Sequence, residues 1–258
     1  MTNPTRPLAL VTGASSGIGA DLARELAKDG HDLVLTARTV PAMEGLAAEL
    51  EAHGATSIVI AADLAKPGAA AELAGELEAR GLQIDVFVGN AGLGGLGRFD
   101  QMDPQRIDDI LMINVVALTE LTRLVVPGMV ARRRGRVLLV ASTASFQPGP
   151  RMAVYFATKS YVLSLGEALT YELRGTGVTV TTLCPGATAT NFFKAAGANE
   201  NFLPAMSAAQ VAQLGYRGLK AGRRVVITGM MNRILALGGR YGPHWLTLPA
   251  TAALMLRR

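Results

Sequence analysis

The 258-residue chain has one cysteine, one tryptophan, three histidines and few aromatic residues of any kind. A single cysteine, Cys184, excludes an internal disulfide framework and is compatible with a reducing compartment. It closes the apolar run Val178–Leu183 and reads as a small buried hydrophobe. His31, His53 and His244 show no ligand spacing, so no metal is expected, and each reads as a surface or helix-end residue. Charged residues make up only 17% of the chain, with a net charge of +5. No basic stripe interleaves with aromatics, which argues against a nucleic-acid reader. The densest basic run, Arg132, Arg133 and Arg134, falls where a long helix should end, and the helix dipole accounts for it. No uninterrupted apolar run reaches the ~18–20 residues of a spanning helix. Met1–Pro7 is short and polar, without a leader pattern, and a cytoplasmic location is expected.

What the chain does have is half its residues hydrophobic and 29 glycines, enough to build one closely packed domain over residues 1–258. Short apolar runs alternate with helix-length amphipathic segments. The runs Leu8–Thr12, Asp32–Ala37, Ser57–Ala61, Val86–Asn90, Arg136–Ala141, Val178–Leu183 and Val225–Ile227 are apolar on both faces, as parallel strands covered on both sides must be. Helices are expected over Gly17–Asp29, Ala42–Ala52, Ala69–Arg80, Pro104–Arg132 and Met152–Arg174. The alternation implies a Rossmann-type α/β fold: a doubly wound parallel sheet of about seven strands with helices on both faces.

The first strand runs into Thr12-Gly13-Ala14-Ser15-Ser16-Gly17-Ile18-Gly19, which opens the first helix. Small residues there let the chain turn tightly and let a pyrophosphate approach the helix N-terminus. The second strand ends at Ala37-Arg38, roughly 20 residues on, where an acidic residue would select NAD. Arg38 instead suits a 2′-phosphate by charge and paired donors, so NADP(H) is preferred over NAD(H), the other reading being a solvent-facing cap. Asp63-Leu64 and Asn90-Ala91-Gly92 follow the third and fourth strands on the ligand edge of the sheet. Asp63 is placed to bind an adenine amino group, and Asn90 and Gly92 to set backbone against the cofactor.

Ser142 lies just past the fifth strand, and Tyr155 and Lys159 follow at i, i+4 spacing on one helix face. A neighbouring ammonium lowers a phenol's pKa, so this pair can pass a proton to or from a carbonyl oxygen that Ser142 also holds.

Together, Thr12-Gly13-x3-Gly17-Ile18-Gly19, Asn90-Ala91-Gly92-x-Gly94, Asn114, Ser142, Tyr155-x3-Lys159 and Pro185-Gly186 resemble the short-chain dehydrogenase/reductase family, over about residues 6–228. The resemblance implies hydride transfer between a nicotinamide and a carbonyl or secondary alcohol. It makes Tyr155 the acid/base, Ser142 the group that orients the substrate oxygen, and Lys159 a ligand of the nicotinamide ribose. Asn114 would position a water that links Lys159 to solvent. Pro185, Gly186 and Thr188 would lie against the nicotinamide. It also implies a homodimer or homotetramer, paired through the two long helices.

Substrate choice is expected from Ser142–Met152, from a flap over residues 187–220, and from the C-terminal end. Phe146, Pro148, Phe192, Phe193 and Phe202 make these regions apolar and favour a steroid-like, fatty-acyl or terpenoid substrate. The tail, residues 230–258, reads as two apolar-basic segments broken at Gly242-Pro243, suited to packing, to a lid or to weak membrane-surface contact. Two other classes compete with the oxidoreductase reading. One is a non-catalytic NADP-binding sensor or scaffold, which would need only the nucleotide half. The other is a methyltransferase, which the Tyr-x3-Lys helix disfavours.

Overall fold

A computed structural model describes residues 6–197 and 205–256. Nine strands and ten α-helices alternate among them: β1 (Leu8–Thr12), α1 (Gly17–Lys28), β2 (Asp32–Ala37), α2 (Val40–Glu51), β3 (Ser57–Ala61), α3 (Ala69–Ala79), β4 (Val86–Gly89), α4 (Pro104–Leu111), α5 (Leu118–Ala131), β5 (Gly135–Val140), α6 (Ala153–Glu172), β6 (Val178–Cys184), β7 (Thr188–Ala189), α7 (Phe192–Ala195), β8 (Met206–Ser207), α8 (Ala208–Lys220), β9 (Val225–Ile227), α9 (Met230–Tyr241) and α10 (His244–Leu256). Seven of the strands form one parallel sheet in the order β3-β2-β1-β4-β5-β6-β9, and β7 pairs with β8 apart from it.

The alternation along β1 shows why both faces must be covered. Leu8 and Leu10 pack on one side with Phe87, Leu73, Leu121 and Val162, which brings in α3, α5 and α6. Ala9 and Val11 pack on the other side with Leu22, Leu26, Leu46 and Val211, which brings in α1, α2 and α8. Because β1 lies between β2 and β4, the chain reverses direction across the sheet there, and a crevice opens at the strands' carboxyl ends.

Four expectations change. The helix from Pro104 to Arg132 is not uniform: a π-helical stretch, Met112–Ala117, separates α4 from α5 and contains Asn114. This helical run, Pro104–Ala131, is long and apolar enough to cross a membrane, but Ile113, Ala117, Leu118, Leu121 and Met129 sit in the core. The flap is shorter than 187–220. Residues 208–220 are α8, opened by a capping box between Ser207 and Gln210 and buried along Val211, Ala212, Tyr216 and Leu219. Finally, His31 is buried at the end of α1, where its Nδ1 meets the Leu26 carbonyl at 3.1 Å. The basic run also has specific work: Arg132 donates to the Ile84 carbonyl, Arg133 to that of Gly175, and Arg134 pairs with Asp85.

Candidate active site

The turn between β1 and α1 is shaped by glycine. Gly13 (φ +66°) and Gly17 (φ +57°) occupy the left-handed region, and a Cβ on Gly19 would stand 2.3 Å from the Gly13 carbonyl oxygen. The Asn90 side chain fixes the turn from across the sheet, donating from Nδ2 to the carbonyls of Thr12 (2.9 Å) and Gly13 (3.2 Å). Thr12 answers with its hydroxyl, which accepts from the backbone N–H groups of Asn90 and Ala91. Asn90 therefore shapes the cradle through its side chain rather than offering backbone alone.

Ser15 is half-buried and Ser16 exposed at the start of α1, and the Ser16 hydroxyl makes no capping bond there. Ile18 packs partly against the core. Arg38 is exposed beyond the end of β2 and, among the described residues, forms no ion pair. One Asp63 oxygen accepts the Ala65 N–H, and Leu64 is buried in the core, so its side chain is not available to a nucleotide. These residues fit a dinucleotide. The cradle is bare of side chains where phosphates must approach, α1 presents its first N–H groups there, and a free guanidinium stands at the ribose end.

Tyr155 and Lys159 lie one turn apart on α6, both buried, with the Lys159 Nζ 5.8 Å from the centre of the Tyr155 ring. Burial pushes the Tyr155 phenol up to about 12, and the nearby Ser142 hydroxyl only partly opposes this. Burial likewise pulls the Lys159 ammonium down to about 8, while Nζ donates to the Val140 carbonyl at 2.8 Å. In the free protein, desolvation outweighs the lowering of the phenol expected from its neighbour's charge. Tyr155 is thus protonated at neutral pH, the state a proton donor needs.

Polar contacts that the sequence did not advertise hold this group in place. The Ser145 hydroxyl donates to the Lys159 carbonyl (2.7 Å), and that of Ser160 to the Ser145 carbonyl (3.1 Å), which fixes the Ser142 turn against α6. Asn114 accepts the Leu93 N–H (2.8 Å), donates to the Leu93 carbonyl (2.9 Å) and donates to Thr158 (3.0 Å). Its side chain joins the loop after β4 to α6. Gly92 lies within the same group, since a Cβ there would stand 3.3 Å from the Lys159 Nζ. Ala91 packs against the core beside it. Pro185 accepts the Thr143 N–H at 2.8 Å, and Thr188 is buried with its hydroxyl on the Gly186 carbonyl. Thr190, which sequence reasoning passed over, stands against Gly17: a Cβ on that glycine would come 3.0 Å from the Thr190 methyl.

The predicted substrate aromatics divide. Phe192 reaches the site, its ring 5.1 Å from that of Tyr155, and with Leu96 it covers a small cluster of Ala144, Met152, Tyr155 and Phe156. Phe146 packs against the main core instead, because the 3-10 turn Thr143–Phe146 carries it away from Tyr155. Pro148 is exposed. Phe202 and the Phe193 side chain lie outside the described residues. Arg106 on α4 latches the flap down, with one guanidinium nitrogen donating to the carbonyls of Gly94 and Ala195.

The sequence model of the short chain dehydrogenases matches residues 7–201. The chain belongs to the short-chain dehydrogenase family. An uncharacterized oxidoreductase of Myxococcus xanthus is 37% identical over 190 residues, which span 72% of this chain and 75% of the relative. Among solved structures, a short-chain dehydrogenase from Sphingobium yanoikuyae in complex with NADPH superposes with a TM-score of 0.83 at 33% identity, covering 90% of this chain and 92% of that one. The bulky-bulky ketone specific alcohol dehydrogenase of Comamonas testosteroni gives 0.78 at 34% identity, covering 87% and 86%. A member of this family with Ser142, Tyr155 and Lys159 assembled is an oxidoreductase that transfers hydride with a nicotinamide nucleotide.

Proposed function

We propose that the protein is an NADPH-dependent reductase of bulky, apolar carbonyl compounds. The observation that carries the reading is the buried Ser142–Tyr155–Lys159 group, with its phenol protonated at neutral pH and walled by apolar side chains. Bound NADPH would supply the hydride. Ser142 and Tyr155 hold the carbonyl oxygen, and the Tyr155 hydroxyl donates its proton as negative charge develops there. Lys159 lies beside the phenol and feeds positive charge to the site. Gly13, Ser15, Ser16, Gly17, Ile18 and Gly19 would receive the pyrophosphate, and Arg38 the 2′-phosphate, in keeping with the NADPH held by the Sphingobium relative. Leu96, Met152 and Phe192 favour an apolar substrate with bulk on both sides of the carbonyl, as the name of the Comamonas enzyme indicates for that protein. The outer faces of α4 to α6 leave Leu111, Val116, Leu124 and Tyr161 exposed, a surface suited to a second copy of the chain.

The test is NADPH oxidation against carbonyls graded from small and polar to bulky and apolar, with NADH and Tyr155→Phe run alongside. Turnover should favour NADPH and the bulky ketones and fall by roughly 10²–10⁴-fold in the variant, with nucleotide binding retained. Faster turnover of small polar carbonyls would sink the substrate class. NADPH binding without any turnover would move the protein to the sensor reading.

A further inference from the structure

Charge is unevenly distributed along the chain. Residues 1–200 carry 17 basic and 20 acidic residues, whereas residues 201–258 carry eight basic residues and no Asp or Glu. The family match ends at the same place, residue 201. The acid-free segment contains α9 and α10, where most of the strongly exposed large apolar side chains among the described residues lie.

At 100° per residue, Met230, Ile234, Leu237 and Tyr241 fall along one stripe of α9, with Met231 and Leu235 beside them. All six are exposed, Met230 by 69%. The opposite stripe, with Asn232, Ala236 and Gly239, is turned inward: Gly239 packs against Gln147 and Asn232 against Gly186. Arg233 and Arg240, seven residues apart, flank the apolar stripe and are themselves exposed. Apolar exposure resumes on α10 at Leu246 and at Trp245, which is 76% exposed. Scattered surface leucines need no explanation, but a continuous apolar helix face does.

We infer that α9 and the start of α10 form a docking surface for anionic phospholipid membranes. A helix lying in the interface has this arrangement, with apolar side chains on one face, arginines at the border and no acidic residue of its own to be repelled by headgroups. A second copy of the chain is a poorer occupant. A two-fold contact through this face would set Arg233 and Arg240 against an equally basic surface with no carboxylate in the segment to receive them. Glu167, on α6, faces this segment and pairs with Arg224 (3.4 Å) and more loosely with Arg240 (3.9 Å), which leaves the surface net positive. The inference does not depend on the substrate class proposed above.

Trp245 is the only tryptophan in the chain, so its fluorescence reports this surface directly. The protein is mixed with phosphatidylglycerol-containing vesicles and, separately, with pure phosphatidylcholine vesicles at low salt. With the anionic vesicles, Trp245 emission should move to shorter wavelength and the protein should sediment with them. Added salt should reverse both effects. The Ile234→Glu, Leu237→Glu double variant should abolish binding, and Arg233→Glu, Arg240→Glu should weaken it by roughly tenfold or more. Both variants alter exposed side chains, and unchanged melting temperatures would show that they fold. The inference is overturned if the protein stays in the supernatant with its emission unmoved. It is equally overturned if emission is already at short wavelength without vesicles and moves to longer wavelength on dilution as the sedimentation coefficient falls, which would assign the face to a second copy.

Discussion

At the scale of single residues, Lys159 is the group whose burial has the most measurable consequence. Its ammonium is held at about 8, against an ordinary 10.5. Between those values the unfolded chain binds more protons than the folded one, so this lysine's contribution to stability rises with pH across that window. Below about 8 both states are protonated, and the burial penalty is present in full. Lys159→Met should therefore stabilise the nucleotide-free protein at pH 7, by about 1–2 kcal/mol after the lost bond to the Val140 carbonyl is allowed for. The gain should disappear above the ordinary lysine value. Denaturant titration of both proteins at neutral and high pH measures it, and a difference independent of pH would mean that Lys159 burial is not its source. Arg38 acts at the same scale but on binding. Arg38→Asp should exchange NADPH preference for NADH by at least tenfold, read from the two dissociation constants.

Elements matter here through the contacts that join them. Asn90 follows β4 yet shapes the turn after β1. Asn90→Ala leaves two partly buried carbonyls short of a donor and should cost about 1–2 kcal/mol, together with weaker NADPH binding, in thermal melts with and without nucleotide. Asn90→Asp keeps the shape but cannot donate, so it should not rescue. Arg106 performs the corresponding service for the flap. Arg106→Ala loosens α7 from the Gly94 loop, leaving only the Leu96 N–H bond to the Ala196 carbonyl, and should raise KM for a bulky ketone more than it lowers kcat. An unchanged KM would show that the latch is irrelevant to substrate access.

The sheet was legible element by element because parallel strands covered on both faces are written as nearly continuous apolar runs. Every expected strand is present, to within a residue at its ends. The loss of regular pitch around Asn114 had no such signal, because helical periodicity barely changes over one wide turn. Helix α8 did carry a signal in Ser207 and Gln210, whose spacing is that of a capping box, but the flap residues before it drew the boundary too far along the chain. Phe146 meets the main core rather than the Tyr155 cluster, because composition says that a segment is apolar but only the local backbone decides which apolar neighbours a ring meets.

For the whole molecule, the exposed apolar face of α4 to α6 is the surface expected to govern assembly. Leu124→Glu places a charge on its exposed apolar surface and should convert an oligomer into monomers in sedimentation velocity, with the fold intact by circular dichroism. A variant that sediments like the parent would remove this face as the contact.

The Thr12–Gly19 turn is contiguous in sequence, but its anchor is 78 residues away in Asn90. During synthesis, β1, α1 and β2 emerge well before that anchor leaves the ribosome, and until then the turn has the Ala14 N–H bond to the Thr36 carbonyl of β2 but lacks the Asn90 side-chain bonds to the Thr12 and Gly13 carbonyls. Nucleotide recognition is therefore acquired late in the life of the nascent chain. A ribosome stalled before residue 90 should present the complete glycine motif and still fail to bind NADPH.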